Sequence, residues 1–236
     1  SYRIAEEHGL DEVERSIERY GVLPEAFFAD PERYRAELTR AALAGSGHLA
    51  MAANVASDDA MEQVHELIAR EWGGLDVLVN NAGIATGGPM VETTLAEWRS
   101  VLDVNLMGVV HGCRRFLPGM LAAGRGQVIN TASFAGLAGA PSIMSYGVSK
   151  AAVVALSEQL RAETHGTGVT VSVLCPAFFR TNLLESWQGN ARMKGFADKM
   201  METSPDTLDS VADAVFAAVE RGDFLVIPTK REPMRW

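Results

Sequence analysis

Apolar positions along the chain change period in a regular way, from about every third or fourth residue to continuous short runs and back. Leu10, Val13, Ile17 and Tyr20 recur at helical spacing between charged neighbours, so 10–20 reads as an amphipathic helix that Gly21 ends. The apolar run 26–29 closes on Asp30, and Pro31 opens a helix through Tyr34, Leu38 and Leu43. A strand is expected at 49–55, closing on Asn54, followed by a helix that Ser57 caps and that carries Met61, Val64, Leu67 and Ile68. The alternation then continues as strand 77–79, helices 95–102 and 105–121, strand 127–131, helix 145–164, strand 169–175, helix 208–220 and strand 224–227. Continuous Val/Leu/Ile strands separated by amphipathic helices call for a parallel sheet covered on both faces, a doubly wound α/β fold. The first strand is abnormal, since Ser1 to Ile4 is short and holds Arg3 where a buried strand wants a β-branched residue. The long irregular stretch is 178–206.

Composition narrows the partners. With 236 residues, 47% of them apolar, the chain suits one large domain over 1–236, with 1–48 atypical. A formal charge of -9 without a Lys/Arg block argues against nucleic acid or an anionic membrane, leaving small molecules. Cys113 and Cys175 have apolar neighbours and fit buried thiols in a reducing compartment. With no signal-peptide pattern and no apolar run of about 18 residues, the expected location is the cytoplasm; Ser1 in place of Met fits a processed or trimmed start. The five histidines are scattered without ligand spacing, so no metal is assigned.

Candidate chemistry gathers between Asn130 and Lys150. Tyr146 and Lys150 lie four apart and share a helix face. A phenol titrates near pH ~10, and a nearby ammonium favours the phenolate, so such a Tyr could pass a proton to or from a substrate oxygen. Ser133 would hold that oxygen.

Five motifs in order, Leu75 to Gly83, Val104 to Gly108, Ser133, Tyr146-x-x-x-Lys150 and Cys175 to Thr181, resemble the short-chain dehydrogenase/reductase family over 26–228. That resemblance implies a nicotinamide-dependent oxidoreductase acting on a secondary alcohol or ketone. It assigns Tyr146 as acid/base and Lys150 to lower its pKa and hold the nicotinamide ribose. Ser133 would orient the substrate oxygen, and Asn105 would anchor a water-linked proton relay. Asn80, Ala82, Gly83, Pro176 and Thr181 would line the cofactor, Asn54 would stand near the adenine, and Asp30 would take the ribose hydroxyls and favour NAD(H) over NADP(H). The stretch 178–206 would form a lid whose Phe178, Phe179, Leu183, Leu184, Trp187, Met193, Phe196, Met200 and Met201 suit an apolar substrate. The helices holding Asn105 and Tyr146 would form a homodimer or homotetramer contact, helped by small residues at Gly108, Gly112, Ala151, Ala152 and Ala155.

One motif departs. The family's glycine-rich turn should fall at Ile4 to Asp11, where only Gly9 matches; Ala5 and Asp11 replace glycines, and Glu6 and Glu7 would face a pyrophosphate. Cβ atoms crowd that turn and carboxylates repel the ligand. Three alternatives therefore stay open: a non-redox acid/base enzyme (dehydratase, isomerase or cyclase) that binds no dinucleotide, a non-catalytic subunit, and a dehydrogenase with an altered start.

Overall fold

The computed structural model describes residues 47–230, apart from 185, 186 and 188. The chain divides into two compact units, Ser1–Asn54 and Val55–Trp236. In the first, 47–54 carries no assigned strand, against the expectation for 49–55. A strand exists by pairing, and an apolar run supplies side chains without guaranteeing a partner. Gly9 and Asp30, with the helices expected at 10–20 and from Pro31, lie outside the described residues.

In the second unit α1 (Asp58–Trp72) starts where the Ser57 side chain accepts from the Ala60 N–H at 3.2 Å, and ends at Gly73 with φ 75°. Strand β1 (Val77–Asn80) follows. Helix α2 (Leu95–Leu102) opens on a capping box between Thr94 and Glu97. It runs through a π turn, Asp103–Met107, into α3 (Gly108–Ala123). Then come β2 (Gly126–Thr131), α4 (Met144–Glu163) and β3 (Val169–Leu174). Helices α5 (Ala191–Glu202) and α6 (Leu208–Glu220) and strand β4 (Leu225–Val226) complete it.

Among the described residues the four strands lie in the order β1-β2-β3-β4, all parallel, with Leu78, Val128 and Val171 in one row. Because side chains alternate, this row and its neighbours face α1, α3 and α4 in one core with Met61, Phe116, Met120, Val153 and Leu160. Ile129, Leu174 and Val226 point the other way and pack on Ala218 of α6. Helices therefore cover both faces, as the α/β pattern required.

A short polar ladder crosses the first core. Asn80 Nδ2 donates to Asn130 Oδ1 at 2.9 Å, Asn130 Nδ2 to Ser157 Oγ at 3.0 Å, and Ser157 Oγ to the Val153 carbonyl at 2.7 Å. It fixes β1, β2 and α4 in register just below the strands' C-terminal ends. Gly112 of α3 lies so close to the Asn80 amide that any Cβ there would overlap it, and Gly108 packs on Val55. Both glycines thus serve packing within the unit.

Asn130 is fully buried, and truncating it strands the Asn80 amide and the Ser157 hydroxyl. Asn130→Ala is expected to cost roughly 2–4 kcal/mol in urea unfolding; a loss below about 0.5 kcal/mol, within the range of ordinary surface changes, would contradict the ladder's role.

Candidate active site

Parallel sheets present their C-terminal strand ends together, and ligands bind in the crevice there. Here the loops after β1, β2 and β3 converge on the first two turns of α4. Ser133 follows β2 and caps the 3₁₀ turn Phe134–Gly136, its Oγ accepting from the Ala135 N–H at 3.2 Å. The Phe134 N–H donates to the Pro176 carbonyl at 2.9 Å, tying that turn to the end of β3. Gly136 sits directly on α4: a Cβ would lie 2.6 Å from the Lys150 backbone carbon.

Lys150 is buried, 3% exposed, and its Nζ donates to the Thr131 carbonyl at 2.8 Å. Burial lowers its pKa from 10.5 to about 8, and the Cys175 sulfur acts in the opposite sense. An ammonium carries three donors; with Thr131 taking one, two remain for ligand oxygens. Gly83 is the near wall, since a Cβ there would be 3.4 Å from Lys150 Nζ and 3.3 Å from Asn105 Oδ1. This donor set, at a strand-end crevice walled by a side-chain-free backbone, fits the hydroxyls of a nicotinamide ribose.

Asn105, in the π turn, is wholly buried. Its Oδ1 accepts from the Ile84 N–H at 2.8 Å, and its Nδ2 donates to the Ile84 carbonyl at 3.0 Å and Ser149 Oγ at 3.1 Å. Ser149 Oγ in turn donates to the Tyr146 carbonyl at 2.7 Å. The Asn105 side chain is therefore a clamp that joins the loop after β1 to the backbone carrying Tyr146. Sequence reasoning passed over Ser149 and the Thr131 carbonyl; the first is one more small polar residue on a helix and the second is backbone.

Tyr146 and Lys150 do share a face, with Nζ 5.9 Å from the ring centroid. The expected direction of the phenol's pKa is reversed, however. Burial raises it above the usual 10.0, and the Ser133 hydroxyl offsets this only in part. Desolvation disfavours the charged phenolate, and it outweighs the Ser133 hydrogen bond. Tyr146 accordingly holds its proton at neutral pH in the unliganded protein. Both thiols are pushed up to about 11 by burial, so neither Cys113 nor Cys175 is a nucleophile.

The remaining predicted residues divide. Ala82, exposed, and Gly83 stand at the end of β1, and Pro176 at the end of β3. The Asn80 amide is committed to the core ladder instead of the crevice. Thr181 Oγ1 accepts from the Leu183 N–H at 3.3 Å and opens the turn Asn182–Leu184. Asn54 is an exposed residue of the first unit. The lid stretch is not irregular throughout, because α5 occupies Ala191–Glu202 behind an Asn190 cap. Gly195, a poor helix former, interrupts its sequence. Ala85, Leu184 and Ala197 form an apolar cluster there, with Tyr146, Phe178, Leu183, Trp187 and Met201 packed against it. A separate cavity of about 350 Å³, lined by residues including His65, Trp72, Phe116 and Arg125, lies between α1 and α3 at the opposite end of the strands, away from these groups.

Comparison with known proteins identifies the family. The short chain dehydrogenase family profile matches residues 27–192. A Mycobacterium tuberculosis protein named a probable oxidoreductase, EphD, is 33% identical over 209 residues, covering 84% of this chain and 35% of the relative. Meso-2,3-butanediol dehydrogenase of Serratia marcescens is 32% identical over 166 residues, 70% of this chain and 66% of that one. The chain thus spans about a third of the first relative's length and about two thirds of the second's. A crystal structure of a short chain dehydrogenase/reductase from Burkholderia phymatum in complex with NAD superposes with a TM-score of 0.77 at 28% identity, covering 84% of this chain and 77% of that one.

Lys150→Met keeps the side chain's shape and removes its charge. Below pH 8 the wild-type fold must hold a proton on an amine whose affinity has dropped from 10.5 to about 8, so the variant is expected to be more stable at pH 7 by about 1–3 kcal/mol, net of the lost Thr131 bond. As pH rises from 8 toward 10.5 the unfolded chain binds more protons than the folded one, wild type gains stability, and the gap narrows. Urea unfolding at pH 7 and 9.5 checks this; a pH-independent gap contradicts it.

Proposed function

Since the chain belongs to the short-chain dehydrogenase family, we propose that it is a nicotinamide-dependent oxidoreductase interconverting an apolar secondary alcohol and its ketone. The observation that carries the proposal is the meeting of Ser133, Tyr146, Lys150 and the Asn105 clamp at one crevice. In reduction, the Ser133 hydroxyl donates to the carbonyl oxygen and orients it. Tyr146, protonated at neutral pH, gives its phenolic proton to that oxygen as the O–H bond breaks. Lys150 stabilises the resulting phenolate and holds ribose hydroxyls through its remaining donors. When bound, the nicotinamide supplies the hydride to the carbonyl carbon, or accepts it in the reverse direction. For oxidation, Tyr146 must first be deprotonated, so alcohol oxidation is favoured at alkaline pH and ketone reduction near neutrality.

The apolar cluster under the lid supports an apolar substrate, and the Serratia relative is named for 2,3-butanediol, a molecule of secondary carbinols. Asp30, by its place in sequence, favours NAD(H) over NADP(H). Ala151 and Ala155 remain exposed along α4 and suit a close helix contact between copies in a homodimer or homotetramer. One observation favours a second reading, acid/base chemistry without a dinucleotide: Ala5, Glu6, Glu7 and Asp11 stand where the pyrophosphate turn should be.

Titration with NADH and NADPH, followed by nicotinamide fluorescence, is expected to show micromolar binding with NADH the tighter. No saturation at millimolar concentration would favour the second reading. Under either, Tyr146→Phe is expected to lower kcat/KM by about 10²–10⁴-fold with the thermal transition little changed; undiminished activity would remove the site assignment.

A further inference from the structure

Trp187 stands in the lid between the turn Asn182–Leu184 and α5. Its ring lies flush on the loop after β1: a Cβ at Gly87 would be 2.9 Å from Trp187 Cη2 and 3.1 Å from Cζ2. The same ring packs against the cluster that also receives Tyr146, Phe178 and Met201. Its backbone N–H donates to the Leu184 carbonyl at 3.4 Å. Its indole Nε1 is buried and meets no acceptor among the described residues. Indole is a donor only, and a buried indole N–H ordinarily finds a partner because leaving it unmade forfeits its hydration. Phe or Leu would fill an apolar slot without that penalty. Arg115 Nε is also without an acceptor, but the same guanidinium reaches Asp58 and Glu62 through its other nitrogens. Trp187 has no such compensation.

We infer that the Trp187 indole N–H is a specificity-determining donor whose acceptor belongs to the substrate, so that the preferred compound carries a second oxygen besides the one Tyr146 protonates. This rests on the proposed site and narrows its substrate class from simple apolar ketones to apolar ketones or carbinols bearing a further hydroxyl or carbonyl. An apolar body fills the cluster, the reacting oxygen lies at Ser133 and Tyr146, and the second oxygen lies at the lid.

The test compares cyclohexanone with cyclohexane-1,2-, 1,3- and 1,4-dione on wild type and Trp187→Phe. The full chain labelled with ¹⁵N-tryptophan gives an indole signal for Trp187, identified by its loss in the variant. That signal is expected to move downfield with at least one dione and to stay in place with cyclohexanone. Where turnover is measurable, the dione-to-ketone ratio of kcat/KM is expected to fall by about three- to tenfold in Trp187→Phe, the loss of one hydrogen bond. An indole signal that moves equally with all four compounds, or with none, overturns the inference, as does an unchanged ratio. Absence of turnover with NADH and NADPH would overturn the oxidoreductase reading alone, because the indole shift is read without catalysis.

Discussion

The site depends on an amine held away from water. Lys150 Nζ rests on the Thr131 carbonyl with its head beneath the surface, and isolated buried charges are costly unless hydrogen-bonded. Much of the surrounding structure can be understood as what that placement requires. Gly136 brings backbone where a side chain would collide with the lysine's helix, and Gly83 lies against the amine and the Asn105 amide, where a Cβ would be a tight fit. The Asn105 clamp ties the loop after β1 to the backbone of α4 that carries Tyr146. The same enclosure lowers the proton affinity of Lys150.

The ladder of Asn80, Asn130 and Ser157 ties the ends of β1 and β2 to α4, one layer below Ser133 and Tyr146. A parallel sheet has no hairpins to set its register, so side-chain contacts across it must do so. The amides also explain why α4 comes so close: its buried stripe, Ser145, Ser149, Val153 and Ser157, is small, and Ser149 and Ser157 bond to its own backbone carbonyls. Rigidity at this level is what lets a phenol and a hydroxyl from different segments meet.

Much of this was legible in the residues. The caps at Ser57, the long helix after Ser145 and the strands at 127–131 and 169–175 follow from local rules that tertiary packing does not override. The four-residue spacing of Tyr146 and Lys150 announced their shared face. The direction of the Tyr146 pKa was not legible, because it turns on how deeply two partners are buried together, a property of the folded surroundings. Backbone acceptors such as Thr131 O leave no mark in a sequence. Helix α5 escaped because Gly195, a poor helix former, interrupts its sequence, and 49–55 shows the converse, an apolar run without an assigned strand.

The most direct test is the proton affinity of Lys150 itself. With ¹³C-lysine in the full chain and the Lys150→Met variant to assign the signal, a pH titration of the ε-carbon is predicted to inflect at about 8. Inflection near 10.5, the value of a solvated lysine, would show that the amine is not enclosed and would contradict the account of the site.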